Sequence, residues 1–308
     1  MRHALRAGTR SSPLALAQTE EALARLRTKH ADTAFEIVTI RTHGDEGRRE
    51  DLGTSLDGKR AFTKRIDDAL LEGRIDFAVH SLKDVPAELP PGLEIAAVPL
   101  RADPRDVLVA NAGLTLGNLP AGARIGTSSL RRRAQLLAAW PRLDLVDLHG
   151  NVGTRLRRLE AQDFDGIVVA AAGLERLGFG DRRAQPIEPD ILTPAPGQGA
   201  LALVCRASDS ETRPLLTSIE DASARRATDA ERALSALLGG GCNVPFGALA
   251  TIESGSMHLR GVVASPDGRR IVRAAAQGPT QDWRTTADTV AAQLLHGGAE
   301  DILTEAGA

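Results

Sequence analysis

Gly8-Thr9-Arg10-Ser11-Ser12-Pro13-Leu14 returns in shortened form as Gly126-Thr127-Ser128-Ser129-Leu130. In both copies an apolar stretch typical of a strand runs into Gly-Thr, serines follow, and a helix rich in alanine, leucine and arginine begins. Ser12 in front of Pro13 is a favourable N-cap with proline at the first helical position. The repeat predicts two similar lobes, each with a helix N-terminus at the carboxyl end of a strand.

The chain around the first copy alternates between strand-like and helix-like patterns, which predicts an α/β lobe with a mostly parallel sheet. The glycine-dotted polar stretch 42–60 is expected to be a mobile loop. Strands are expected over 5–9, 35–41 and 75–79, with helices over 13–29 and 61–72.

A proline-marked passage over 100–105 leads into the second copy, where the same alternation continues. The strand expected over 200–205 follows a proline-rich passage and is predicted to return to the first lobe. Further strands are expected over 106–110, 123–127, 143–148 and 165–171, with helices over 130–140, 155–162 and 172–180.

The last third of the chain begins with a helix expected over 222–238, which ends at three glycines in front of Cys242. Three glycines in a row bury no side chain and permit unusual backbone angles, so the cysteine is predicted to lie on a tight loop. Its thiol is either presented for reaction or buried and inert. Strands over 247–252, 257–264 and 271–276, followed by helices over 282–295 and 299–305, predict a small α+β domain with a three-stranded sheet.

A chain of 308 residues is long for a single hydrophobic core, so more than one domain is expected. The patterns above divide the chain into three domains. The expected boundaries are 1–99 together with 200–217, then 105–193, and finally 222–308.

The composition excludes several classes of function. Lys+Arg and Asp+Glu number 38 and 40, so the chain lacks the basic surplus of a nucleic-acid or anionic-membrane binder. The two cysteines form neither a disulfide framework nor a zinc pattern, and the histidines fall singly, so no metal site is expected. Neither a phosphate loop nor a nucleophile elbow is present. With no signal-peptide core and no membrane-length apolar run, we predict a soluble cytoplasmic protein.

Charged residues point to an anionic ligand. Arginines cluster at the starts of two predicted helices of the second lobe, around Arg131 and around Arg155. Because a cation at a helix N-terminus opposes the helix dipole, a bound anion is expected to compensate, and facing lobes would form a cleft for a polyanion. In the first lobe Lys83-Asp84 follows a strand directly, which suits either a surface ion pair or a carboxylate that stabilises a cation and moves protons.

Seven longer motifs, in order along the chain, resemble those of the porphobilinogen deaminase (hydroxymethylbilane synthase) family. The resemblance runs nearly from end to end, which makes it more specific than any single motif. The motifs are TRSSPLALAQ (9–18), AVHSLKDVP (78–86), IGTSSLRRRAQL (125–136), GNVGTRL (150–156), AAGLERLG (171–178), PGQGAL (196–201) and GGGCNVPFGA (239–248).

The resemblance implies two periplasmic-binding-protein-like (type II) α/β lobes and a C-terminal α+β domain, with a three-stranded sheet, that bears the cysteine. Enzymes of this family are transferases of tetrapyrrole (porphyrin and heme) biosynthesis that condense four porphobilinogen molecules, release ammonia and yield hydroxymethylbilane. The implied cofactor is a dipyrromethane primer joined by a thioether to Cys242. The implied protein is a cytoplasmic monomer without nucleic-acid or membrane partners, whose product passes to uroporphyrinogen III synthase.

The resemblance also assigns roles to individual residues. Asp84 matches the catalytic aspartate that contacts pyrrole nitrogens and serves the proton transfers. The residues matched to the cofactor's acetate and propionate groups are Lys83, Thr127, Ser128, Ser129, Arg131, Arg132 and Arg155. The residues matched to substrate contacts are Arg10, Ser12 and Arg176, with Lys59 and His149 at two further substrate-side positions.

Some residues depart from the family pattern. His149 stands where the family has arginine, and a histidine cannot bind a carboxylate in bidentate fashion and is largely neutral near pH 7. In the stretch that matches the family's flexible lid, Ser55, Asp57 and Arg60 differ from the usual residues, as does Arg65 after it. Besides an active enzyme, two alternatives follow: a weakened relative that holds the dipyrromethane but elongates poorly, and a two-lobed anion-binding protein without chemistry.

Overall fold

The computed structural model of the chain describes residues 4–41, 57–111, 113–180, 184–239 and 245–307, without the side chains of 57–62 and 306–307. The contacts divide the chain into two compact units. The first contains Met1–Ala102 and Ala200–Arg226, and the second contains Asp103–Gly199 and Ala227–Ala308. The three-domain boundaries expected from the sequence stay a prediction.

The first unit is an α/β lobe. Its strands are β1 Leu5–Thr9, β2 Phe35–Thr39, β3 Phe77–Ser81, β4 Leu93–Ala97 and β10 Leu201–Arg206, and its helices include α1 Pro13–Lys29, α2 Asp57–Leu71 and α6 Thr212–Thr217. The described strands form one sheet in the order β2-β1-β3-β10-β4. β1 is parallel to β2 and β3, whereas β10 lies antiparallel between β3 and β4. The predicted return of this strand to the first lobe is therefore confirmed, and it adds an antiparallel strand to the expected parallel sheet.

Successive residues of β3 pack on opposite faces of this sheet, because side chains alternate along a strand. Phe77 lies in one core cluster with Leu23 of α1, whereas Ala78 lies in another with Ile66 of α2. All four side chains are fully buried. Helices thus cover both faces, and the polar residues that follow β1 and β3 come together at the carboxyl ends of these strands.

The second unit begins with a lobe of the same topology. Its strands are β5 Asp106–Ala110, β6 Arg124–Gly126, β7 Asp144–Val146, β8 Gly166–Ala170 and β9 Ala184–Ile187, and its helices are α3 Leu130–Ala139, α4 Val152–Glu160 and α5 Ala171–Arg176. The described strands form a sheet in the order β7-β6-β8-β5-β9, in which β5 is antiparallel to both neighbours. This order reproduces that of the first unit when β6 takes the place of β1. The predicted pair of similar α/β lobes is confirmed.

The rest of the second unit is an α+β arrangement. Its elements are α7 Ala222–Leu237, whose first residues belong to the first unit, β11 Phe246–Glu253, β12 Ser256–Ala264, β13 Ile271–Pro279, α8 Trp283–Leu294 and α9 Glu300–Gly307. The described strands form an antiparallel sheet in the order β11-β12-β13. Leu234 of α7, Leu259 of β12 and Val290 of α8 are fully buried in its core. The predicted three-stranded domain is confirmed, and Gly239 (φ 84°) follows the end of α7 as a glycine stop predicts.

Several boundaries differ from those expected. α2 begins at Asp57 rather than at residue 61, and Lys59 and Arg60 in this added turn are good helix formers. Residues 42–56 of the expected loop lie outside the described residues. β3 continues through His80 and Ser81, because both residues pair with β10. α4 begins at Val152, because Asn151 provides its N-cap. The patterns do not predict the short elements β4, β9 and α6.

Candidate active site

The two repeated motifs build the same helix start. Ser12 caps α1 and accepts a hydrogen bond from the backbone N–H of Ala15 (3.3 Å). Ser129 caps α3 in the same way and accepts one from the N–H of Arg132 (3.4 Å). Each lobe therefore presents a serine-capped helix N-terminus beside the end of a parallel strand, an arrangement that favours anions.

The glycine of each motif packs closely against a buried side chain. A Cβ atom at Gly8 would lie 2.2 Å from Cδ1 of Ile75, and one at Gly126 would lie 2.8 Å from Cδ2 of Leu148. Optimal separations between carbon atoms are about 3.5–4.0 Å, so a larger residue at either position would displace the end of that side chain. Each Gly-Thr pair therefore lies against the core of its lobe, directly before the serines.

In the first unit a pocket opens at the carboxyl ends of β1 and β3. Its walls come from the start of α1, from α2 and from the end of β3. Predicted site residues from two distant parts of the sequence meet here: Arg10 and Ser12 from one, Asp84 from the other. The polar lining comprises Arg10, Ser12, Gln18, Thr63, His80, Ser81 and Asp84.

Asp84 reaches the pocket from a short 3-10 turn, Leu82–Asp84, that follows β3 directly. The turn is closed by a hydrogen bond from the N–H of Val85 to the carbonyl of Leu82 (3.1 Å), and Leu82 is buried. Asp84 itself is exposed and Lys83 is half-buried. The carboxylate is therefore held on an anchored turn but remains in contact with solvent.

The pocket floor consists of His80 and Thr63, which are 7% and 2% exposed. Neither Nε2 of His80 nor Oγ1 of Thr63 has a hydrogen-bond partner among the described residues. Burial, with a further contribution from the charge of Arg10, lowers the pKa of His80 to about 4. Its imidazole is therefore neutral near pH 7. Gln18 beside it donates to Oγ of Ser81 (2.7 Å).

In the second unit the predicted residues Thr127, Ser128 and Ser129 lie at the end of β6. Thr127 is fully buried, and its Oγ1 accepts a hydrogen bond from the N–H of Ser129 (3.3 Å). Oγ of Ser128 donates to the carbonyl of Leu148 (2.5 Å). These bonds attach the start of α3 to Leu148, the residue that precedes His149.

Arg131 and Arg132, two predicted cofactor ligands, converge on the buried carboxylate of Asp106. Nη1 of Arg131 donates to Oδ2 of Asp106 (2.7 Å), and Nε and Nη2 of Arg132 donate to Oδ1 (3.0 and 2.7 Å). Arg131 and Arg132 are each 6% exposed, and Asp106 is fully buried. Nε2 of Gln198 also donates to Oδ1 (3.1 Å). The protein itself thus supplies an anion that compensates part of the arginine cluster.

The charge of Asp106 depends on these partners. Burial alone would raise the pKa of the carboxyl, but the charges and hydrogen bonds of Arg131 and Arg132 together hold it far below its usual value. Because the folded-state pKa is depressed, the stabilisation is complete above the unfolded-state pKa of about 3.9 and declines as pH falls below it. Asp106 is therefore ionised at neutral pH and stabilises the fold there.

Replacing Asp106 with asparagine is expected to lower the free energy of unfolding by about 3–5 kcal/mol near pH 7, because it leaves two buried guanidinium groups without their counter-ion. Urea unfolding of both proteins measures the difference. The exposed Asp144 lies 3.9 Å from Arg124 and provides a matched control. Asp144→Asn is expected to cost less than about 1 kcal/mol, since exposed ion pairs contribute little. Equal losses in the two variants would contradict the role given to Asp106.

The remaining predicted residues of the second unit lie on α4, α5 and the loop before α4. Nε of Arg155 donates to the carbonyl of Gly150 (2.9 Å), and Gly150 has a φ of 108° that favours glycine. Arg155 is half-buried, whereas His149 is exposed. Nη2 of Arg176, at the end of α5, donates to the carbonyl of Gly199 (3.1 Å). Arg155 is thus tied to the loop that carries His149.

A second buried carboxylate joins the helix that precedes Cys242 to its neighbours. Glu231 of α7 is fully buried and accepts hydrogen bonds from the N–H groups of Gly197 (2.7 Å) and Ala250 (2.8 Å). The patterns in the sequence single out neither Glu231 nor Asp106. In the sequence, each of the two is an acidic residue next to an apolar run. Many exposed carboxylates have the same position, so this pattern does not identify a buried one.

Two family models match the chain. The model described as porphobilinogen deaminase, dipyromethane cofactor binding domain, matches residues 5–214, and the model of the porphobilinogen deaminase C-terminal domain matches residues 226–296. The chain belongs to the porphobilinogen deaminase family. The family named from the motifs is therefore confirmed.

Curated relatives of the porphobilinogen deaminase family match the chain over nearly its full length. The porphobilinogen deaminase of Acidithiobacillus ferrooxidans is 48% identical over 305 residues, which cover 99% of either chain. That of Roseiflexus castenholzii is 46% identical, with 98% of this chain and 99% of the relative covered. That of Brevibacillus brevis is 48% identical, with 97% and 96% covered.

Solved structures are similar to the chain at a much lower level. The second substrate-binding domain of an amino acid ABC transporter protein from Streptococcus pneumoniae matches with a TM-score of 0.44 and 10% identity, over 70% of this chain and 91% of that chain. The two lobes of this chain share one strand order.

Some residues that the porphobilinogen deaminase resemblance singles out are not among the residues that the structure describes. Cys242 and Ser55 are not among the described residues. Lys59, Asp57 and Arg60 belong to α2, but their side chains are not described. Among the described residues, no group of His, Cys, Asp or Glu side chains is arranged to hold a metal ion. No described helix has the length and apolar character needed to cross a membrane.

Proposed function

We propose that the chain is a hydroxymethylbilane synthase, a transferase that condenses four porphobilinogen molecules head to tail on a dipyrromethane attached to Cys242. The observation that carries the proposal is the pocket in which Arg10, Ser12 and Asp84 meet. Support comes from curated relatives that are named porphobilinogen deaminase and match the chain over nearly its full length. We further propose a cytoplasmic monomer, whose hydroxymethylbilane passes to uroporphyrinogen III synthase.

The donors of the second unit fit a group rich in carboxylates, such as the dipyrromethane. Ser129 accepts the N–H of Arg132 and keeps its own O–H as a donor at a helix N-terminus, where anions are stabilised. Arg131 and Arg132 are held rigidly by Asp106, so a carboxylate bound beside them meets preorganised charge. When bound, the dipyrromethane would supply the free α-carbon to which the first incoming pyrrole is joined. The residues assigned to its acetate and propionate groups are Lys83, Thr127, Ser128, Ser129, Arg131, Arg132 and Arg155.

The residues of the first unit act on porphobilinogen. The guanidinium of Arg10 and the hydroxyl of Ser12 bind a carboxylate of the substrate by charge-assisted hydrogen bonds. When ammonia leaves, the C–N bond breaks and the electron pair departs with the nitrogen, which leaves the substrate positively charged. The carboxylate of Asp84 stabilises this charge and receives the proton that the attacking carbon loses. We assign Arg176, Lys59 and His149 to further contacts with substrate carboxylates.

To test the function, the protein is expressed with adequate porphobilinogen and purified. The purified protein is then incubated with more porphobilinogen. Intact mass should rise in steps of one pyrrole unit, and both ammonia and hydroxymethylbilane should be released. An unmodified mass before the incubation would contradict the attached dipyrromethane. A modified protein that takes up no further pyrrole would instead favour the weakened relative, an alternative motivated by His149.

Replacing His149 with arginine is expected to lower the KM for porphobilinogen by roughly threefold or more at unchanged kcat. The reason is that a guanidinium binds a carboxylate in bidentate fashion, whereas the ring of a histidine cannot. Steady-state kinetics measure the change. His296 is also exposed, so His296→Arg adds the same charge elsewhere and should leave KM unchanged. Equal KM values for His149→Arg and wild type would remove His149 from the substrate contacts.

A further inference from the structure

Two polar groups at the base of the first-unit pocket have no role in the scheme above. Nε2 of His80 and Oγ1 of Thr63 are buried, line the pocket and lack a hydrogen-bond partner among the described residues. By contrast, the buried hydroxyls of Thr9 and Thr19 both donate to the carbonyl of Ala15, at 3.3 and 2.9 Å. A buried polar atom without a partner is costly, so a ligand atom that pairs with it is bound more tightly.

The charges around the floor show which kind of ligand atom fits. Arg10 and the N-terminus of α1 make this end of the pocket positive, and Asp84, the carboxylate of the polar lining, is exposed. Burial keeps the imidazole of His80 neutral, since its pKa is lowered to about 4. A neutral imidazole with its proton on Nε2 and a threonine hydroxyl are both donors that add no further positive charge. Donors beside a fixed cation suit a carboxylate.

We propose that His80 and Thr63 are specificity-determining residues that form the floor of a substrate carboxylate subsite, to which Nε2–H and Oγ1–H donate beside the guanidinium of Arg10. This inference rests on the proposed function, because it assigns the ligand as a carboxylate of porphobilinogen. The buried donors and Arg10 hold one end of the substrate, and the exposed Asp84 faces the end where positive charge develops.

Thr63→Val tests the inference most directly. Valine has a similar shape and lacks the hydroxyl, so it removes a buried polar atom that has no protein partner. We expect the melting temperature to stay the same or to rise, while the KM for porphobilinogen rises about tenfold at nearly constant kcat. Thr63→Ser restores a hydroxyl and should recover most of the lost affinity. A purely structural role for Thr63 would produce the opposite pattern, with a lower melting temperature and unchanged KM.

Thr19→Val is the matched control, because it removes a buried hydroxyl that is already hydrogen-bonded. It should lower the melting temperature and leave KM unchanged. For the histidine, His80→Leu should raise KM, and His80→Gln, which retains a terminal N–H donor, should recover part of the affinity. If His80→Leu does not fold, Thr63→Val still decides the question.

The measurements use the protein with its attached dipyrromethane. If the wild type does not turn over porphobilinogen, the proposed function fails and this inference fails with it. If the wild type is active and Thr63→Val leaves KM unchanged, only the carboxylate subsite is overturned. A fall in kcat at constant KM would also overturn it, because that result would place Thr63 in the chemical step rather than in binding.

Discussion

Asp84→Asn is expected to reduce kcat for porphobilinogen by roughly 10²–10⁴-fold while the dipyrromethane stays attached. Asparagine has nearly the same shape as aspartate but carries no charge and cannot accept a proton at neutral pH. The developing positive charge then loses its counter-charge, and the proton released by the attacking carbon loses its acceptor. Because Asp84 is exposed on an anchored turn, the fold should be unaffected. Steady-state rates and intact mass, measured on the same preparation, check both parts.

Glu88 provides the control for Asp84. It is exposed, lies four positions further along the chain and does not line the pocket. Glu88→Gln removes a nearby negative charge and should leave kcat within about twofold of wild type, since the charge is screened by solvent. A rate for Asp84→Asn that matches the Glu88→Gln rate would remove Asp84 from the chemistry.

Cys242→Ser is expected to abolish both the covalent modification and the formation of hydroxymethylbilane. A thioether requires sulfur, and a serine hydroxyl is a much weaker nucleophile than a cysteine thiolate. Without an attached primer, the residues around Asp84 have no fixed chain end to extend. The intact mass of the variant should equal the mass calculated from its sequence, whereas the wild type should be heavier.

The other cysteine supplies the comparison. Cys205 lies in β10 and is fully buried, and burial, with the charges of Glu94 and Asp209, raises the pKa of its thiol to about 11. It is therefore protonated and unreactive near pH 7. Cys205→Ala should retain the added mass, although the lost sulfur will lower stability somewhat. Loss of the modification in Cys205→Ala, but not in Cys242→Ser, would contradict the assignment.

Local physical chemistry explains why much of the fold was predictable. Ser12 and Ser129 mark helix starts because a serine side chain can satisfy an N–H three residues ahead, whatever the rest of the chain does. The end of α7 is equally local, and Gly239 after it has the positive φ of 84° that glycine accepts. Features of this kind depend on a few consecutive residues, so they can be predicted from the sequence alone.

The partners of the arginines were not predictable in the same way. The sequence does not distinguish Arg131 and Arg132 from Arg133. In the structure, however, Arg131 and Arg132 are buried against Asp106. Arg133 is half-buried and donates to the carbonyl of Leu145 (2.6 Å). Which guanidinium faces which group depends on how α3 lies on its sheet. The expectation of an external anion was therefore incomplete, because part of the compensating charge belongs to the protein.

The sequence by itself determined the two similar lobes, the three-stranded C-terminal sheet, and the placing of Asp84 directly after a strand. These follow from periodicity, capping and turn chemistry, which act over a few residues. Only the tertiary structure decided that β10 lies between β3 and β4, that Asp106 is the counter-ion of two arginines, and that Thr63 and His80 share the pocket with Asp84. The physical reason is that burial and pairing between distant segments depend on packing, and the same side chain is neutral or charged, paired or exposed, according to what that packing places beside it.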